Sequence, residues 1–176
     1  IIIEPVQGEG GFYIAPKDFM LRLRELCDRH GILLVADEIQ SGAGRTGRMF
    51  AMEHYGVAAD IYTLAKSIAG GFPLSAVVGR ADVMDACGPG GLGGTYAGNP
   101  VACASAHAVL DVIAEENLIE RSNAIGKIIR DRCTKLQNSN LNCIGDVRGL
   151  GAMCAVELVK NKASHEPAPE LTAALL

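Results

Sequence analysis

The sequence predicts an α/β fold built on a mostly parallel sheet. Three observations carry this. Ile1 to Ile3 reads as the end of a buried strand, the stretch between Pro16 and Gly31 as a helix, and Ile32 to Ala36 as a second strand. A strand–helix–strand unit joins parallel strands by a right-handed crossover. The run from Ile32 to Ala36 is apolar without alternation, as in a parallel strand covered on both faces. Two later short apolar runs, Ile61 to Ala65 and Leu74 to Val78, extend the same pattern.

Each element has a local cause. Glu4-Pro5 ends the first strand, because proline removes a ladder donor. Val6 to Gly11 is a glycine-rich loop that carries Glu9. Pro16 opens the following helix and Gly31 closes it. Phe19, Leu23, Leu26, Cys27 and His30 recur at helical spacing between them. A short helical piece is expected around Ala81 to Cys87, then a glycine-dense loop from Pro89 to Gly94. Asn99 and Pro100 form a cap and first turn for a helix reaching about Ala114. Its Ala, Val, Cys and Ser content predicts burial and close packing. A further helix is expected from Leu118 to Leu136, with Ile125, Ile128, Ile129 and Leu136 on its apolar side. Ile144 to Val159 holds Gly145, Gly149 and Gly151 and then a strand-like Ala152 to Val159, which looks like the start of a second unit. Lys160 to Glu170 reads as a polar loop, and the last residues, through Leu176, as helical.

Composition excludes several function classes. The 176 residues suffice for a domain with a real core, and 49% hydrophobic content with mean hydropathy +0.21 marks a globular chain. The net charge of −4 has both signs spread along the chain, unlike the basic stripe of a nucleic-acid binder. No apolar run approaches the ~20 residues of a membrane span. The six cysteines form no C-x-x-C and no zinc spacing with the four histidines. They read as reduced core residues of a cytoplasmic protein. The apolar ends predict an internal piece of a longer protein.

The chemistry lies at the ends of two strands. Ile32 to Ala36 ends in Asp37-Glu38, and Ile61 to Ala65 ends in Lys66, just before Ser67-Ile68-Ala69-Gly70-Gly71. Ligands of open α/β sheets bind at the carboxyl ends of strands. An amine and a carboxylate there suit a cofactor that needs a Schiff base and a partner for a protonated ring nitrogen. Other readings are weaker. A Walker-type acid needs a G-x-x-x-x-G-K-[ST] loop, which is absent from the sequence. Gly42-Ala43-Gly44-Arg45-Thr46-Gly47 fits G-x-G-x-x-G, but Asp37 and Glu38 would repel a dinucleotide's pyrophosphate. Thr95, after Gly91-Leu92-Gly93-Gly94, is a candidate phosphate donor.

The ordered series Leu34-Val35-Ala36-Asp37-Glu38-Ile39-Gln40-Ser41-Gly42-Ala43-Gly44-Arg45-Thr46-Gly47, then Thr63-Leu64-Ala65-Lys66, resembles the class III (ω-amino) pyridoxal-phosphate aminotransferases. Glu4-Pro5-Val6-Gln7-Gly8-Glu9-Gly10-Gly11 and Gly94-Thr95-Tyr96-Ala97-Gly98-Asn99-Pro100 look like two further family segments. Pro89 to Gly94 and Gly145 to Gly151 are similar to the bacterial 4-aminobutyrate branch. The resemblance implies a fold-type I transferase. Residues 1–115 would be the C-terminal part of the cofactor-binding large domain, 116–140 a connecting helix, and 141–176 the start of the small domain.

It also implies roles. Lys66 would form the Schiff base with pyridoxal 5′-phosphate and shuttle a proton. Asp37 would hold the pyridinium nitrogen protonated, Gln40 would bond the phenolic oxygen, and Ile39 would pack on the ring. Thr95 would reach the phosphate in a neighbouring subunit, making the enzyme a homodimer or a dimer of dimers. Glu9 would pair with a substrate-side arginine expected beyond Leu176. A phosphate loop and a ring-stacking aromatic are expected before Ile1, so the stretch alone is expected to be inactive. The implied reaction passes the amine of 4-aminobutyrate to 2-oxoglutarate. Ornithine or another ω-amino acid, a different chemistry on the same cofactor (aminomutase or decarboxylase), a silent binding scaffold and a nicotinamide-binding domain are the alternatives.

Overall fold

The computed structural model describes residues 1–175. Four strands, β1 (Ile2–Ile3), β2 (Val35–Asp37), β3 (Ile61–Leu64) and β4 (Ala76–Gly79), form one sheet in that order. β1, β2 and β3 run parallel, and β4 is antiparallel to β3. The mostly parallel α/β sheet is therefore present, with one reversed strand at its end.

α1 (Lys17–His30) is the crossover between β1 and β2. Pro16 precedes it and Gly31 ends it in the left-handed conformation, as the sequence predicts. Its packing face differs from the expectation. Met20 and Cys27 are fully buried, whereas Phe19 and Leu26 are 47% and 43% exposed. Met20 and Cys27 lie seven positions apart, two helical turns on one stripe, and pack with Leu34, Ala36, Met52 and Tyr55. Phe19 and Leu26 lie one position off that stripe. Ile32 and Leu33 likewise precede the strand and are exposed, so β2 is shorter than the apolar run.

A buried ion cluster closes the opposite end of this sheet. Asp60, just before β3, is 4% exposed. It accepts hydrogen bonds from the Leu34 N–H and from Arg24 and Arg80, each at 2.8 Å. Burial opposes its ionisation, but the Leu34 N–H and the two guanidiniums outweigh it and hold its carboxyl down at about 2.

α2 (Ala81–Met84) is shorter than predicted, and α3 (Pro100–Glu115) begins as expected, with Asn99 Oδ1 accepting the Val101 and Ala102 N–H groups. α3 is less buried than its composition implies: only Ala102 is buried. α4 (Leu118–Gln137) packs through Ser122 and Gly126, and the predicted apolar residues Ile125, Ile128 and Leu136 are exposed. The small side chains prevail because α4 approaches backbone. A Cβ on Gly126 would collide with the Gly151 carbonyl, and one on Gly151 with the backbone of Thr46 and Gly47. β5 (Ile144–Leu150) and β6 (Met153–Leu158) form a separate antiparallel hairpin. The glycines of β5 hide it in the sequence, since they break the alternation that marks a strand. α5 (Pro169–Leu175) follows, and the predicted helical end at Leu176 lies outside the described residues.

Candidate active site

Parallel pairing sets the first two functional residues side by side. Asp37 closes β2 and pairs in register with Thr63 of β3, and Lys66 lies three residues further on. Both therefore stand at the carboxyl edge of adjacent parallel strands. Asp37 is half-buried, and its Oδ1 accepts the Ile39 N–H at 3.1 Å. That bond turns the chain sharply after the strand, so Ile39 and Gln40 follow directly beside the carboxylate. Among the described residues neither Asp37 nor Lys66 has an ion-pair partner.

Lys66 has a backbone signature as well. Its φ of 53° lies in the left-handed region, which is strained for a residue with a side chain. It leaves β3 in this conformation and opens a 3₁₀ turn, Lys66–Ala69. The Ser105 hydroxyl of α3 donates to the Ala69 carbonyl at 2.9 Å and anchors that turn. The side chain is exposed.

Glu9 comes to the same edge from another part of the chain. Gln40 Nε2 donates to Glu9 Oε1 at 2.8 Å. Gly8 leaves room for the contact: a Cβ there would stand 2.6–2.9 Å from the Gln40 amide atoms, and the amide would have to shift. Glu4 Oε2 accepts the Gly8 N–H at 2.7 Å and holds that approach in place. Asp37, Ile39, Gln40 and Glu9 are thus brought together, with Lys66 on the neighbouring strand end. Thr95 is not joined to them: it is exposed, in the loop before α3, and makes no side-chain hydrogen bond among the described residues.

The two acids at the end of β2 part company. Glu38 is 2% exposed and fully engaged. Its carboxylate accepts the Ser41 hydroxyl at 2.6 Å and the Ala51 and Met52 N–H groups at 3.0 and 2.9 Å. Burial, reinforced by the Glu38 charge, pushes the Tyr55 phenol up to about 12. Glu38 is a structural carboxylate, and Asp37 alone faces the site edge. Sequence reasoning singled out Asp37 through the family resemblance, but it did not foresee the structural role of Glu38, and it missed Glu4 and Gly8. The only signal for the first was strand alternation, which sends Asp37 and Glu38 to opposite faces.

The G-x-G-x-x-G match is also settled. A dinucleotide turn leads from a strand into a helix N-terminus with its N–H groups open to phosphate. Here the segment leads to a 3₁₀ turn, Ala51–His54, and its carbonyls are bound by the protein. Arg45 O accepts Ala152 N–H, Met153 N–H and the Ser122 hydroxyl, and Gly47 O accepts Asn123 Nδ2 at 3.1 Å. The segment is the seat of α4 and the β5–β6 hairpin.

The chemistry of the donor set fits pyridoxal phosphate. It offers an unpaired amine for the aldehyde, a carboxylate for the ring nitrogen, and an amide beside it. Thr63 Oγ1, in register with Asp37, is buried with no hydrogen-bond partner among the described residues. No group of three or more His, Cys, Asp or Glu among the described residues could hold a metal ion.

The mostly parallel sheet, with a carboxylate and an amine at adjacent strand ends, has the fold and donor set of the pyridoxal-phosphate-binding α/β class. A solved amine transaminase from an uncultivated Pseudomonas species, in its cofactor-bound form, superposes with a TM-score of 0.87 at 43% identity, over 95% of this chain and 39% of that one. The chain belongs to the class III aminotransferases, whose family model matches residues 1–175. Members of this family depend on pyridoxal phosphate. The chain is 58% identical over its whole length to a 5-aminovalerate aminotransferase of Pseudomonas aeruginosa and equally to a 4-aminobutyrate aminotransferase of Escherichia coli. It spans 41% of the length of either relative.

Proposed function

We propose that the protein carrying this chain transfers the amino group of an ω-amino acid, 4-aminobutyrate, to 2-oxoglutarate, yielding succinate semialdehyde and glutamate. One observation carries the reading: a carboxylate and an amine, without ion-pair partners among the described residues, stand at the carboxyl ends of neighbouring parallel strands. Bound there, pyridoxal phosphate supplies an electron sink for the carbon that loses its proton.

The chain's own residues would do the rest. Lys66 Nζ would hold the cofactor between turnovers and carry the proton taken from the donor carbon. Asp37 would keep a proton on the ring nitrogen, and Ile39 would exclude water from one ring face. Gln40 would orient the ring through its phenolic oxygen, and Glu9 would set the charge on the substrate side. Thr95 would serve the phosphate of a neighbouring subunit in a homodimer. We assign residues 1–115 to the C-terminal part of the large domain, 116–140 to a connecting helix and 141–176 to the start of the small domain. The proposed setting is the cytoplasm, where the six free cysteines would stay reduced.

A second donor, 5-aminovalerate, is favoured by the name of the Pseudomonas aeruginosa relative, which is as identical to the chain as the 4-aminobutyrate aminotransferase of Escherichia coli. The test is a panel of 4-aminobutyrate, 5-aminovalerate and ornithine with 2-oxoglutarate, run with the wild type and Lys66→Ala. The wild type is expected to be yellow and active with the first donor above the others. Lys66→Ala is expected to lose the colour and at least about a thousandfold in kcat. A colourless, inactive wild type would overturn the proposal, and a preference for another donor would replace its substrate.

A further inference from the structure

Glu9 sits at the tip of a loop closed by a few backbone bonds of its own. Val6 and Ile14 form an isolated bridge, Gln7 N–H reaches Tyr13 O at 2.9 Å, and Gly11 N–H reaches Gly8 O at 3.2 Å. Beyond the bridge the loop is anchored from far along the chain. Arg148, on β5, donates from Nε to the Gly11 carbonyl at 2.8 Å. Its Nη1 donates to Asp146 and to Glu157, both at 2.8 Å. Its guanidinium lies 3.9 Å from the centroid of the Tyr13 ring, and the Tyr13 hydroxyl donates to Glu157 at 3.1 Å. The Arg148 side chain is 14% exposed, so the guanidinium itself is largely shielded from water, while its partners Asp146, Glu157 and Tyr13 keep part of their surface in solvent.

Each part of that guanidinium has a distinct task. One edge binds loop backbone, another binds the hairpin's two carboxylates, and the face covers an aromatic ring of the loop. A lysine ammonium is a point charge and cannot do all three. Gly11, whose carbonyl is held, lies two residues from Glu9, and Glu9 accepts the Gln40 amide. On the other side of Glu9, Glu4 holds the Gly8 N–H. The Glu9 carboxylate is therefore suspended between two fixed backbone points, one set by its own segment and one by the hairpin.

We propose that Arg148 is a positioning residue for Glu9 and, through it, for Gln40, so that the β5–β6 hairpin sets the substrate side of the site. The proposal rests on the reading of Glu9 and Gln40 as site residues. Arg148 touches neither cofactor nor substrate. Its loss frees the Gly11 end of the loop, and Glu9 then samples positions away from Gln40. The effect falls on discrimination between the two substrates, because Glu9 governs charge on that side. Lys66 and Asp37 are on other elements and keep their places.

The test uses the holoenzyme of the protein carrying this chain, with Arg148→Met, Arg148→Lys, Glu9→Gln and the double variant Arg148→Met/Glu9→Gln. The two half-reactions are followed separately through the cofactor's absorbance, and hydrogen–deuterium exchange is read peptide by peptide. Arg148→Met and Glu9→Gln are expected to shift the ratio of the two half-reactions' kcat/KM in the same direction, each by about tenfold. The double variant should shift it no further. Exchange should quicken in residues 6–14 and stay unchanged in α1 and β2, with the cofactor's absorbance intact. Arg148→Lys should show the same effects more weakly, and it replaces Arg148→Met if that variant does not fold.

Additive effects, an equal loss in both half-reactions, or unchanged exchange in residues 6–14 would each overturn the proposal. A wild type that does not transaminate would sink the functional reading instead. The exchange measurement would still decide whether Arg148 holds the loop.

Discussion

Single residues in this chain are decided by their partners more than by their type. Asp60 is the clearest case, because its carboxyl is held at about 2 instead of the usual 3.8. A depressed carboxyl contributes stability that is fully present above the unfolded value and is lost as pH falls through the folded one. The window for Asp60 is therefore from about pH 4 down to about pH 2, and the contribution is about 2 kcal/mol. Arg24, with a side chain only 15% exposed, supplies more of it than the half-exposed Arg80. Asp60→Asn should cost about 2–3 kcal/mol at pH 7, since it removes the buried partner of Arg24 and leaves that guanidinium only the exposed Asp28. Urea unfolding from pH 7 to pH 3 should also show a shallower loss of stability in the variant, and equal slopes would refute the assignment. The same logic separates Glu38, consumed by Ser41, Ala51 and Met52, from Asp37, which is left for the site.

At the scale of elements, the sequence shows where helices lie and misjudges which face packs. α4 presents Ile125, Ile128 and Leu136 at helical spacing, yet it meets the rest of the protein through Ser122 and Gly126. Close approach to Gly151 and to the Arg45–Gly47 backbone selects residues that lack bulk, a demand no hydrophobic period expresses. Gly126→Ala should therefore destabilise the protein by about 1–3 kcal/mol or more, as overpacked sites do. Gly88→Ala, where nothing stands within reach of an added Cβ, should change stability by less than about 0.5 kcal/mol. Thermal unfolding of both variants checks the contrast, and an indifferent Gly126→Ala would mean that the α4 contact yields freely. β5 was illegible for a related reason: Gly145 and Gly149 interrupt its alternation, and its strand state comes from pairing with β6.

For the whole molecule, the question is which chain completes which site. Thr95 is exposed and joins none of the residues gathered around Asp37 within its own chain, and its proposed role lies at the phosphate of a neighbouring subunit. Mixed dimers test this directly. A dimer of one Lys66→Ala chain and one Thr95→Ala chain would contain one intact site if Thr95 acts across the interface. It should recover about half of the wild-type activity, whereas either variant alone stays low. If Thr95 acts within its own chain, every site in the mixture carries a defect and no activity returns.

The sequence by itself determined the order of elements, the mostly parallel sheet, and the placing of Asp37 and Lys66 at strand ends. Those features follow from apolar runs, caps and breakers that act within a few residues. The family segments, from Glu4 to Gly11 and from Leu34 to Gly47, were legible for the same reason: they are continuous in the chain. Only the tertiary structure decided that Glu38 is structural, that Gln40 bonds Glu9 over Gly8, and that Arg148 grips the Glu9 loop. Glu38 is settled by backbone 13 and 14 positions on, Gln40 and Glu9 lie 31 apart, and Arg148 and Gly11 are 137 positions apart. The sheet and the hairpin bring such partners together, and no local pattern records which of several arginines or acids will be the one that arrives.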